Sequence, residues 1–214
     1  MRLILFIFLG ASFGSFLGLV IDRFPEQSII TPASHCQHCK RQLQIQDLLP
    51  IVSQILNRFR CRYCGTHIPY WYLLIEVLSA LFVVLYAYHI LSITQVILLF
   101  AGLVLTIYDI KHQEYPFMVW LVFTVTCLLF SQLNWVFCIL LFLAFVTEKW
   151  QLNIGSGDFL YLASLSLVLN VSQILWTIQI SSLLGLLVFF VFKSKSLPYI
   201  PFLYLASLFT QLFM

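Results

Sequence analysis

Nineteen residues, Leu3 to Ile21, pass without a charged side chain. At about 1.5 Å per residue such a run crosses the hydrocarbon of a bilayer as a helix. A lone segment has no other form open to it there, because lipid offers no partners for backbone N–H and C=O groups. A cleaved secretory signal is the rival reading. The run is longer than a signal's apolar core, however, and no clear small-x-small cleavage site precedes Asp22-Arg23. Gly10, Gly14 and Gly18 fall on one helical face, a spacing suited to close helix packing.

Seven more apolar runs follow: Trp71 to Ile90, Thr94 to Tyr108, Phe117 to Phe130, Leu133 to Thr147, Phe159 to Leu169, Ile174 to Phe192, and Pro198 to Met214. The short ones need tilt or local thinning of the bilayer. Ser131-Gln132-Leu133-Asn134 and Asn170-Val171-Ser172-Gln173 supply the turns inside the two longest stretches. With 62% hydrophobic residues, 9% charged ones and a mean hydropathy of +1.00, the chain is no soluble enzyme, disordered protein or secreted disulfide scaffold. The expected fold is an all-α polytopic membrane protein of about eight transmembrane helices. Residues 1–21 form the first helix, 22–70 a polar insert, and 71–214 a helical domain.

Charge placement orients this arrangement. With the N-terminus outside and eight crossings, segments 22–70, 109–116, 148–158 and 193–197 share one side. They hold ten of the 11 Lys and Arg residues, leaving only Arg2 across the membrane. That bias assigns them to the cytoplasm. Merging Phe117 to Thr147 into one span would send Lys149 outside. The formal net charge of +3 is too small to suggest nucleic acid as a partner; membrane lipid is the expected surroundings, and no oligomeric state is implied. No internal repeat stands out.

The insert carries Cys36-Gln37-His38-Cys39 and Cys61-Arg62-Tyr63-Cys64, two C-x2-C pairs separated by 21 residues. Four thiolates at such spacing make a tetrahedral structural zinc site. Lys40, Arg41, Arg60 and Arg62 offset its charge, and cytoplasmic placement disfavours disulfides. Redox pairs or unliganded thiols are the alternative. A closed four-cysteine site leaves no open position for catalysis. His35, His38 and His67 read as nearby solvated or supporting groups, and Cys127 and Cys138 as small core residues.

Ionisable groups in or beside spans are costly and mark candidate sites. Asp158 closes Gly155-Ser156-Gly157-Asp158 just before an apolar run, where its plain reading is a helix N-cap. Asp109 ends a span, where the helix dipole disfavours an anion; its plain reading is a solvated helix end. Pro116 lies seven residues on. Both aspartates fall at cytoplasmic ends of spans, so they can meet at one depth as a dyad. Two such carboxylates share a proton near neutral pH. One then activates water against a scissile carbonyl, while the other hydrogen-bonds the carbonyl oxygen and later helps protonate the leaving amine. Glu76 lies about six residues into its span, roughly 9 Å deep, and reads as a structural pair or an anchor for the insert. Glu114 and Glu148 read as interfacial carboxylates.

Taken together, these residues resemble the type IV prepilin peptidases, and the small size is similar to the compact competence-type members. The resemblance is carried by Gly14-Ser15-Phe16 and Asp22-Arg23-Phe24-Pro25, by the paired C-x2-C motifs with Leu48-Leu49-Pro50-Ile51-Val52-Ser53 between them, and by Pro69 through Glu76. Asp109 with Pro116 matches the first catalytic aspartate motif, and Gly155-Ser156-Gly157-Asp158 the GxGD motif of the second. Phe117 stands where relatives often have an acidic residue after the proline, and Leu160 where they often have a basic one. Neither change removes a proposed catalytic carboxylate. The resemblance implies a membrane aspartic endopeptidase that cleaves a short basic leader from prepilin or competence pseudopilin precursors at the cytoplasmic face. It also implies N-methylation of the new N-terminus with S-adenosylmethionine. A presenilin-like intramembrane protease shares the GxGD chemistry, but the four-cysteine insert and short Asp-to-Pro spacing favour prepilin processing. A transporter or assembly protein using the aspartates for protons or packing is the non-enzymatic alternative.

Overall fold

The computed structural model describes residues 2–150, 155–192 and 197–213. Among them every regular element is a helix, and each of the eight apolar runs contains one. Three helices are long and apolar enough to cross a membrane by length and composition: Arg2–Arg23, Ile93–His112 and Val171–Val191. The chain divides into two compact units, Met1–Leu91 and Ser92–Met214.

The first unit holds α1 (Arg2–Arg23), a short 3-10 helix (Ile45–Leu48), α2 (Val52–Leu56) and α3 (Trp71–Ala87). α1 and α3 pack along the glycine face expected from the sequence. A Cβ at Gly10 would lie 2.6 Å from the Ser79 carbonyl oxygen, and one at Gly14 would lie 2.7 Å from the Glu76 Cα. The helices therefore touch backbone to backbone, as small residues allow between apolar helices. Large side chains such as Leu5, Phe13, Phe16, Leu74 and Leu81 point outward. Arg23, at the end of α1, is buried. Its guanidinium donates to the carbonyls of Pro32 at 2.6 Å and Ala33 at 3.3 Å, fixing the loop that leads into the first cysteine pair.

The second unit holds α4 (Ile93–His112), α5 (Phe117–Leu128), α6 (Trp135–Lys149), α7 (Ser156–Leu165), α8 (Val171–Phe192) and α9 (Ile200–Phe213). Ser92 starts α4 with a reciprocal cap. Its hydroxyl accepts the Gln95 N–H at 3.3 Å, and the Gln95 side chain accepts the Ser92 N–H at 2.7 Å. Gln113, at φ 52°, ends α4 in the left-handed conformation. Both expected turns prove to be helix starts. Asn134 accepts the Phe137 N–H at 2.7 Å ahead of α6, and Gln173 accepts the Asn170 N–H at 3.0 Å ahead of α8.

The run expected over Phe159 to Leu169 is helical only over Ser156–Leu165. Ser166 then turns the chain, its hydroxyl donating to the Ala163 carbonyl at 2.7 Å. α7 is held among its neighbours by polar contacts. Trp120 Nε1 donates to the Leu160 carbonyl at 2.9 Å and to the Ser164 hydroxyl at 2.7 Å. Gly102 of α4 lies against the Tyr161 hydroxyl and the Tyr204 ring, which lets α4 approach α7 and α9.

Candidate metal centre and carboxylate pair

The four insert cysteines converge. Their sulfurs all lie within 4.8 Å of one another, with Cys36 and Cys64 at 3.8 Å. Zn–S bonds of about 2.3 Å put the sulfurs of a tetrahedral site about 3.8 Å apart, so the cluster fits that ion. The Thr66 hydroxyl and backbone N–H beside Cys64 bring its thiol down to about 6, favouring the thiolate that binds metal. His35, His38 and His67 stand outside the cluster.

The two halves of the centre are built alike. The Lys40 N–H bonds the Cys36 carbonyl at 2.9 Å, as the Gly65 N–H bonds the Cys61 carbonyl at 2.9 Å. The Cys36 N–H reaches the Arg41 carbonyl at 3.0 Å, as the Cys61 N–H reaches that of Thr66 at 2.8 Å. Lys40 and Gly65 both take positive φ, at 55° and 72°. Bridges His35 to Gln42 and Arg60 to His67 close the two knuckles in the same register. The insert thus contains a local structural repeat, which the sequence hides because little beyond the cysteines is shared between the halves.

Glu76 ties the insert to the helices. Its buried carboxylate accepts the Ile51 N–H at 2.7 Å and the Gln54 side-chain amide at 2.8 Å. Ser15 of α1 bonds the same carboxylate. This is the anchoring role expected of it. Ile51 is held at φ 61°, with the Val52 N–H closing onto the Pro50 carbonyl at 2.6 Å, a strained γ-turn for a β-branched residue.

In the second unit α4 packs against α7 and α9, and Asp109 and Asp158 lie within electrostatic reach of each other. Both are half-buried. Asp109 is more than a solvated helix end: its Oδ2 accepts the Ile200 backbone N–H at 3.0 Å, and the Tyr199 N–H bonds it too. The first turn of α9 offers its unpaired N–H groups to a carboxylate at the wrong end of α4. Pro198 and Pro201 mark that helix start in the sequence, but nothing there says what it faces.

Asp158 is not the N-cap of α7. Gly155 holds that position, and Asp158 sits in the first turn with its own N–H on the Gly155 carbonyl at 3.2 Å. The second motif glycine has a steric role, since a Cβ at Gly157 would come within 2.5 Å of the Tyr115 ring. Tyr115 was not singled out by its sequence context, yet its hydroxyl lies within electrostatic reach of Asp158. Among the described residues that hydroxyl is buried without a hydrogen-bond partner.

Cys127 is buried, as a small core residue should be. Cys138, expected in the same role, lies instead on the outer face of α6, where a weakly polar thiol suits an apolar surface. Glu114 and Glu148 are exposed, in keeping with interfacial carboxylates.

Comparison with known proteins covers both units. Residues 8–90 match the family model of the bacterial peptidase A24 N-terminal domain. A Bacillus subtilis (strain 168) protein named prepilin leader peptidase/N-methyltransferase is 30% identical over 199 residues, which cover 86% of this chain and 80% of that protein. A Myxococcus xanthus protein of the same name is 43% identical over 74 residues, covering 34% of this chain and 22% of its own length. An Escherichia coli type 4 prepilin-like proteins leader peptide-processing enzyme is 34% identical over 91 residues, covering 34% of each chain. The chain thus aligns with only a third or less of the last two relatives. No solved structure matches it.

Proposed function

The chain belongs to the prepilin leader peptidase/N-methyltransferase family, and from that membership we propose that it is a membrane aspartic endopeptidase. Its substrates are type IV prepilin or competence pseudopilin precursors, whose short basic leader it removes at the cytoplasmic membrane face. The observation that supports this reading is that Asp109 and Asp158, carried on separate helices of one unit, lie within electrostatic reach of each other.

The two carboxylates share a proton and titrate as a unit. The ionised member takes a proton from water as its oxygen attacks the carbonyl carbon ahead of the pilin helix. The protonated member hydrogen-bonds the carbonyl oxygen. As the C–N bond breaks, a proton passes to the departing amine. No acyl-enzyme forms.

The proposal includes eight crossings with the N-terminus outside, the insert 22–70 in the cytoplasm, and 71–214 as the catalytic helical domain. It rests on the charge bias; the segments 148–158 and 193–197 fall in part outside the described residues. Cys36, Cys39, Cys61 and Cys64 hold a structural zinc, which cross-links the two knuckles when bound. N-methylation of the new N-terminus is a second proposed activity, resting on the relatives' name. Incubation with a cleaved pilin and labelled S-adenosylmethionine tests it, and no transfer under conditions that support cleavage counts against it.

The peptidase proposal is tested by cleavage of a pilin-type precursor by purified protein in detergent, comparing wild type with Asp109→Asn and Asp158→Asn. Asparagine keeps the size and much of the hydrogen bonding but cannot act as a carboxylate acid or base. Loss of cleavage in both folded variants is expected. Full cleavage by either one sinks the mechanism.

A further inference from the structure

The insert contains a helix turned inside out. In α2, polar Ser53 and Gln54 are buried at 8% and 7% exposure, while Val52, Ile55 and Leu56 stand out at 37%, 55% and 75%. Just before it, Ile45, Leu48 and Leu49 are exposed as well. Water drives the opposite arrangement, and a contiguous exposed apolar patch marks contact with another apolar phase. α1 and α3 bury apolar residues such as Leu17, Ile21, Ile75 and Phe82 beside Gly10, Gly14, Ser79 and Glu76, and yet also turn Leu5, Phe13, Phe16 and Leu81 outward.

Two depth markers place α2 beside those helices below their ends. Glu76, which holds the Ile51 N–H and the Gln54 amide, is the sixth residue of α3, roughly 9 Å along it. Ser15, bonded to the same carboxylate, lies eight residues before Arg23 at the end of α1, about 12 Å along that helix. The γ-turn at Ile51 aims its N–H at this carboxylate and leaves the following apolar side chains pointing away. Exposed Arg58 and Arg60 come next in the chain, a placement suited to anionic headgroups above the apolar patch.

We propose that residues 45–56 form an interfacial segment, with Ile45, Leu48, Leu49, Val52, Ile55 and Leu56 seated in lipid at the headgroup–acyl boundary. The insert is then not a wholly solvated domain. Its zinc knuckles are moored to the bilayer surface by this segment as well as by the chain termini of α1 and α3. The occupant is lipid, because Glu76 and Ser15 hold this apolar face beside two helices whose own outward faces carry Leu5, Phe13, Phe16 and Leu81.

The test uses the full chain, methyl-labelled at Ile and Leu, in nanodiscs of phosphatidylethanolamine and phosphatidylglycerol. Conservative variants Ile55→Val and Leu56→Met identify the two signals. Doxyl-labelled lipid is expected to speed relaxation of both methyl groups several-fold, while a water-soluble gadolinium chelate leaves them unchanged. Broadening by the chelate instead would mean that the face is solvated and would overturn the proposal. Protection from both agents would overturn it too, in favour of a protein contact such as a second copy. Neither outcome bears on whether the aspartates cleave a precursor.

Discussion

Asp109 and Ile200 are joined by a 3.0 Å hydrogen bond from backbone N–H to carboxylate, which ties the last turn of α4 to the first turn of α9. One carboxylate of the proposed dyad is therefore also a structural cap. Those roles separate by substitution. Asp109→Asn keeps an oxygen for the Ile200 N–H, so its melting temperature in detergent should stay near wild type while cleavage falls about 1000-fold or more. Asp109→Ala loses the cap as well and should cost about 1 kcal/mol of stability. Equal stability of the two variants in thermal unfolding would show that the cap is idle.

Gly157 and Tyr115 make a second separable pair. A Cβ at Gly157 would sit 2.5 Å from Tyr115 Cδ2 and 2.7 Å from Cγ, so Gly157→Ala must push the ring or bend α7. Overpacking of this kind costs about 1–3 kcal/mol, and it moves Asp158 with the helix. Adding Tyr115→Ala removes the two nearest obstructing atoms and leaves only the Tyr115 Cβ at 3.1 Å. The double variant should regain stability relative to the sum of the single changes, with a coupling above about 0.5 kcal/mol. Strict additivity in denaturant unfolding would show that the two residues do not meet.

These relationships explain which parts of the molecule were open to sequence reading. The convergence of the four cysteines was legible because C-x2-C is a local pattern, its sulfurs set by the few residues of each knuckle. The eight apolar runs were legible as helices because hydropathy over a long window depends on composition rather than on partners. Asp109 and Asp158 stood out as ionisable groups at the edges of apolar runs. The donors on Asp109 did not, since Tyr199 and Ile200 reach it from far along the chain through peptide groups that carry no side-chain signature. The likeness of the two knuckles was hidden for a related reason: the repeated hydrogen bonds are all backbone, and Lys40 takes the left-handed position that Gly65 fills in the other. The outward apolar face of α2 could not be read from five residues, because it is Glu76 that selects which face turns in.

Glu76 should control the insert more than the helices. Glu76→Ala leaves the Ile51 N–H and the Gln54 amide without their acceptor, and an unsatisfied buried donor costs about 1–3 kcal/mol. The strained turn at Ile51 also loses the bond that holds it. Limited trypsin treatment should then cut after Arg58 and Arg60 several-fold faster than in wild type, while the α1 and α3 fragments survive. Glu76→Gln retains one acceptor and should fall between the two. Unchanged cleavage in Glu76→Ala would show that the insert is held by other contacts.

Metal removal should unfold the knuckles without dismantling the rest. From residue 22 to 70, Cys61 is the one buried apolar residue, and the other buried side chains there are Arg23, Ser53 and Gln54. So small a core cannot hold a segment of this size, and the proposed zinc would supply order beside the Arg23 and Glu76 anchors. A strong chelator is expected to speed hydrogen exchange at the Cys36, Lys40, Cys61 and Gly65 amides, whose bonds define the two knuckles. Exchange within the interior of α1 and α3 should hardly change. Cys36→Ser and Cys64→Ser should each lower bound zinc, measured by elemental analysis of the purified protein, and reduce folding yield. Zinc content equal to wild type in both variants would remove the four-thiolate assignment, and with it the reason these sulfurs converge.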